Sequence, residues 1–129
     1  MTAAQAEAVT VEILPHAAIL HIHATIDATV APGLRQFLAT AIDRYAHVVV
    51  DLAEVPTLGP EGLAVLVRGH RRARRLNGWV CLAAPSRFVV TVLHTMHVDG
   101  VFPMFDDCAS ALDWLSPSDA STLQVAQDG

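Results

Sequence analysis

Two short apolar runs, HVVVDL at residues 47–52 and WVCLAA at 79–84, restrict most what this chain can fold into. Neither alternates polar with apolar residues, so a strand built from either must be covered on both faces. The segments around them carry helical spacing instead. Leu34, Phe37, Leu38, Ala41 and Ile42 recur at the period of a helix running to about Tyr45. Leu63, Leu66, Val67 and His70 do so after Gly59, and Asn77-Gly78 stops that second helix. Strand-helix-strand repetition predicts a mostly parallel sheet with right-handed crossovers.

The flanks extend the pattern. VTVEIL (9–14) and AAILHIHATI (17–26) alternate, and are predicted to form a hairpin around Pro15-His16. In the second strand Leu20, Ile22, Ala24 and Ile26 share one face, and Ile19, His21, His23 and Thr25 the other. Asp27 or Thr29 caps the first helix. Pro85-Ser86 opens a third helix with Val89, Val90, Leu93 and Met96 on one stripe, FPMF (102–105) is an edge strand, and Asp106-Asp107 caps a last helix through Leu115. The expected architecture is a single α/β domain over residues 9–115, a small, mostly parallel mixed sheet covered by about four helices. Residues 1–8 read as a loose arm and 116–129 as a flexible tail.

Bulk chemistry narrows the functions. Hydrophobic residues make up 53% of the 129 and charged ones 16%, enough for a real core and too little charge for global disorder. A net charge of −5 argues against a nucleic-acid binder. All eight basic residues are Arg, so lysine Schiff bases and lysine phosphate loops are excluded. Cys81 and Cys108 lack metal or redox spacing, and two free thiols suit a reducing cytoplasm. MTAAQAEAV has neither a basic nor an apolar signal region, and no run approaches the roughly 20 apolar residues that cross a bilayer. There is no nucleophile elbow, no paired carboxylate motif and no Gly-rich phosphate loop, so neither catalysis nor a cofactor is expected.

One loop stands out. Gly59-Pro60-Glu61-Gly62 joins the first buried strand to the second helix. Gly59 suits an N-cap, Pro60 the first helical position, and Glu61 the positive end of the helix dipole. That local reading is complete without any function.

The wider segment VVVDLAEVPTLGPEGLAVLV nevertheless resembles the signature of the STAS domain, the fold of bacterial anti-sigma factor antagonists. HIHATIDATVAPGLRQFL and the stretch from RRLNGWVCLAAPS through FDDCASAL are similar to the rest of that family, so the resemblance spans residues 9–115. It implies a protein-binding regulator of transcription that works by partner switching with a kinase-type anti-sigma factor. The alternative it implies is an accessory subunit of a lipid ABC transport complex.

In the family a strand-end Asp-Leu is followed by Asp-Ser-Ser/Thr-Gly-Leu, whose second hydroxyl residue is phosphorylated. Here those places fall on Gly59, Pro60 and Glu61, so no hydroxyl stands at the switch. A phosphate adds about −1.5 to −2 charge and Glu only one. The expectation is a surface held in one charge state: either a permanently weak binder of the usual partner, or a match for a partner bearing a complementary Arg. The resemblance implies a partner-binding face of Asp27, Thr57, Gly59, Pro60, Glu61 and Gly62, extended by Arg68 and Arg71. Thr57 is a candidate substitute acceptor, although a strand-end Thr also has a structural reading. The oligomeric state, a homodimer included, is open.

Three further features have plain readings beside sharper ones. Arg68, Arg71, Arg72, Arg74 and Arg75 read first as a solvated helix end, and second as a face for an acidic partner. His21 with His23, and His94 with His97, are spaced as metal ligands are, but without a supporting Cys or carboxylate pattern read as surface histidines. Asp27 and Asp51 read as a cap and a strand-end residue, rather than as a cation site with Glu61.

Overall fold

The computed structural model describes residues 8–116. Nine elements follow one another: β1 (Val9–Ile13), β2 (Ala18–Ile22), α1 (Ala31–Tyr45), β3 (Val48–Asp51), α2 (Pro60–Arg75), β4 (Val80–Ala83), α3 (Arg87–Thr95), β5 (Met104–Phe105) and α4 (Cys108–Leu115). They form one sheet of order β1-β2-β3-β4-β5, in which β1 runs antiparallel to β2 and every other pair is parallel. The mixed α/β architecture matches the expectation.

The strand order explains the layering. Each crossover advances one place in the same direction, and right-handed crossovers that never reverse put their helices on the same face. Accordingly Leu34, Leu38 and Ile42 of α1, Leu63 and Leu66 of α2, and Val89 and Leu93 of α3 join Leu20, Ile22, Val48, Val50, Val80 and Leu82 in one core. The second face, with Ile19, Val49, Cys81 and Ala83, is covered by α4 through Ala111 and Leu115. β3 and β4 are thus buried on both sides, as their unbroken apolar runs require. The two cores hold no disulfide, and burial pushes the Cys81 thiol up to about 12.

Two expectations are corrected. The second strand ends at Ile22 rather than at residue 26; His23–Thr25 leave the sheet, and Ile26 returns to make an isolated parallel bridge with Leu58. The α3 stripe is narrower than its spacing suggests: Val89 and Leu93 are buried, whereas Val90 is 37% and Met96 53% exposed. Three helices share one sheet face, and outermost α3 turns only its inner edge onto it. The expected tail lies outside the described residues apart from Ser116, as does the arm apart from buried Ala8.

Candidate functional site

The loop between β3 and α2 is held from two sides. Its carbonyl at Thr57 accepts from Ile26 N (3.3 Å), and its Gly59 N donates to Ile26 O (2.9 Å). Ile26 is therefore gripped by both its backbone groups. On the far side, Ser86 caps α3 by accepting from Val89 N, while its hydroxyl donates to Pro56 O (3.4 Å). Asp27 follows Ile26 and forms a tight turn, its Oδ1 accepting from Thr29 N (2.9 Å) and Val30 N (3.1 Å). The expectation of Asp27 or Thr29 as the helix cap is corrected: the N-cap is Val30, without a side-chain cap bond, and Asp27 closes the turn that leads into it.

These bonds bring Asp27, Thr57, Gly59, Pro60, Glu61 and Gly62 to one end of the sheet, beyond the C-terminal edges of β2 and β3. Gly59 is the extended N-cap of α2, Pro60 its first residue, and Leu63 N closes the first turn on Gly59 O (3.0 Å). Glu61 is exposed in that first turn. A Cβ at position 59 would lie 3.4 Å from Glu61 Oε1, so the carboxylate curls back over the helix start. That places its charge against the positive end of the α2 dipole. Thr57 is half-buried and Pro60 exposed.

Arg68 and Arg71 stand elsewhere. Seven residues of helix carry Arg68 about 10 Å along the axis from Glu61, and both arginines line a groove between α1 and α2 instead. The rest of the arginine run divides. Arg72 chelates Asp43 of α1 with two bonds of 2.8 Å, which hold the Asp43 carboxyl below its usual range. Arg74 donates to Gly78 O and lies 3.7 Å over the Trp79 ring.

Asp51 does not join Glu61. It points to the other sheet face, where its Oδ2 lies 2.6 Å from His21 Nδ1 while Glu12 Oε1 lies 2.9 Å from His21 Nε2. A neutral imidazole has one N–H, so bridging two carboxylates calls for the cation, and Glu12 and then Asp51 raise the His21 pKa against the opposing effect of burial. His23 pairs with Glu54 and His94 with Asp99. Among the described residues no group of three or more His, Cys, Asp or Glu could hold a metal ion. Nor is any helix there long and apolar enough to cross a membrane.

Sequence reasoning missed Ile26 and Ser86 as the braces of the loop. Ile26 works through its backbone, which no residue type advertises. Ser86 was legible as a cap but not as a clamp on residue 56.

A five-stranded mixed sheet with three helices on one face and a fourth on the other matches the STAS fold. The profile of the STAS domain matches residues 8–111, and the chain belongs to that family. A comparison with curated proteins finds no match. Among solved structures, a putative anti-sigma factor antagonist from Thermotoga maritima is similar, with a TM-score of 0.79 at 17% identity over 86% of this chain and 97% of that one. An anti-sigma-factor antagonist (STAS) domain protein from Planctomyces limnophilus gives 0.76 at 23%, covering 83% and 97%. A sulfate transporter family protein from Wolinella succinogenes gives 0.71 at 16%, covering 81% and 88%. At such identities these likenesses speak for the fold.

Proposed function

We propose that this chain is a non-catalytic regulator of transcription in the bacterial cytoplasm, an anti-sigma factor antagonist that binds a kinase-type anti-sigma factor and so frees a sigma factor by partner switching. The contact surface is the β3–α2 loop with the Asp27 turn, and Glu61 occupies the place of the usual phosphoacceptor. The surface is then held in one charge state and is not switched there by phosphorylation. The observation that carries the reading is the backbone pairing of Ile26 with Thr57 and Gly59, which makes one continuous surface of two loops with Glu61 exposed on it.

The test is capture from native cytoplasm with wild type, Glu61→Ser and Glu61→Arg. Capture of a kinase-fold protein that is lost with Glu61→Arg supports the reading. Capture gained only with Glu61→Ser means that Glu61 acts as a locked, phosphate-like state. Equal capture by all three refutes a role for the loop. A second reading, an accessory subunit of a transport complex such as a lipid ABC system, draws support from the transporter-family protein that shares the fold. A copurifying ATPase in place of a kinase-fold protein decides for it.

A further inference from the structure

The groove between α1 and α2 has a volume of about 380 Å³. Arg35 of α1 stands on one wall, and Arg68, Arg71 and Arg75 of α2 on the other. Arg72 is neutralised by Asp43, but among the described residues no carboxylate pairs with those four. The floor is apolar, made by half-buried Ala39 and Gly69 over the buried Leu38 and Val65. Gly69 lets the two helices close up beneath it: a Cβ there would sit 2.4 Å from Leu38 Cδ2.

The arrangement selects its occupant. Arg68, Arg71 and Arg75 succeed one another at spacings of three and four, a row about 10 Å long on one side of α2. A lone phosphate would engage only part of that row. Nucleic acid would find no aromatic ring among the lining residues on which to stack a base, and would meet a chain of net charge −5. A helix with aliphatic residues on one face and carboxylates flanking them meets both the floor and the walls, because its own side chains repeat at three and four.

We propose that the α1–α2 groove docks an acidic amphipathic helix of a partner protein, its aliphatic face over half-buried Ala39 and Gly69 and the arginine stems, and its carboxylates against Arg35, Arg68, Arg71 and Arg75. This surface is separate from the Glu61 loop and does not depend on what that loop binds.

The test uses the full chain and a fluorescent peptide of about five helical turns, with Leu at helical spacing and Glu elsewhere, followed by anisotropy. The comparison probes are a scrambled peptide of the same composition, a Lys-for-Glu peptide and single-stranded DNA. The patterned acidic peptide binds best, and the Arg68→Glu/Arg71→Glu/Arg75→Glu variant weakens it about tenfold or more. Glu61→Arg leaves that affinity unchanged. Arg68→Gln/Arg71→Gln/Arg75→Gln decides the matter if charge reversal disturbs the fold, which circular dichroism reports. The proposal is overturned by absent binding, by equal binding of the scrambled peptide, by tighter binding of DNA, or by an equal loss with Glu61→Arg.

Discussion

Gly62 stands so close to Ile26 that a Cβ at position 62 would lie 2.5 Å from Ile26 Cγ2 and 2.7 Å from Ile26 O. The first turn of α2 and the turn after β2 therefore meet without room for a methyl group. A Cβ on Gly59, three residues earlier, would make only ordinary contacts, the nearest at 3.4 Å. Gly62→Ala should cost about 1–3 kcal/mol of stability and loosen the grip on Ile26. Gly59→Ala should cost about 1 kcal/mol or less. Urea unfolding of both variants checks the order, and equal losses would refute it.

The end of α2 makes a second, sharper steric prediction. Asn77 takes the left-handed conformation (φ 62°), while a Cβ on Gly78 would lie 1.9 Å from Ala46 O. That neighbour is backbone and cannot swing away. Gly78→Ala should destabilise by about 3 kcal/mol or more, whereas Asn77→Gly, which only relieves a strained conformer, should change stability by less than about 1 kcal/mol. Thermal melting of the pair measures the contrast.

Two histidines should bend the pH profile of stability in opposite directions. The folded-state pKa of His21 is raised by Glu12 and Asp51. Its contribution is full below the ordinary value near 6.5 and is lost as pH rises through the higher folded value. His70 is buried between Trp79 and Phe102 with an unpaired Nδ1, and burial lowers its pKa. Its contribution is full above about 6.5 and is lost as pH falls through the lower folded value. His21→Gln should reduce the decline on the alkaline side of 6.5, and His70→Leu should reduce the decline on the acid side, to which His47, its pKa likewise lowered by burial, also contributes. Unfolding free energies measured from pH 5 to about 8 would show each change, and unaltered profiles would contradict both assignments.

Thiol chemistry should separate native from unfolded chains. Burial pushes the Cys81 thiol up to about 12, and burial followed by the charges of Asp51, Glu12 and Asp107 pushes Cys108 up to about 11. Both are overwhelmingly protonated at neutral pH, so iodoacetamide should leave Cys81 unlabelled and reach half-buried Cys108 slowly. Denaturant should expose both to rapid labelling. Fast native labelling of Cys81, read by peptide mass, would contradict the packing of the second face.

Much of this was legible in the residues because its causes are local. Gly59-Pro60 as a helix start, Ser86 and Asp107 as caps and Asn77-Gly78 as a stop rest on chemistry within a few positions. The double-sided burial of β3 and β4 was legible because covering both faces leaves no place for a polar residue. What the residues concealed was long-range. The width of the buried stripe on α3 depends on how many helices share its sheet face. The end of β2 depends on Leu58, far along the chain, which claims Ile26 for a different pairing. The Asp27 turn and the β3–α2 loop could be joined only through the family resemblance, because backbone pairing leaves no compositional trace. The arginine run was plain on α2, but Arg35, which makes it the wall of a groove, lies a whole strand and loop earlier.

The strand order has a consequence for synthesis. Each strand neighbours the one made just before it, so every pairing can close while the chain is still emerging, and no early strand waits for a late one. The last element to emerge among the described residues is α4, the helix that covers the second face. Until it arrives, Ile19, Val49 and Cys81 stay bare on an otherwise finished sheet. For the nascent chain, the roughly 0.5–2 s that elongation from the end of β5 through α4 takes are the interval in which it presents a sticky side to its surroundings.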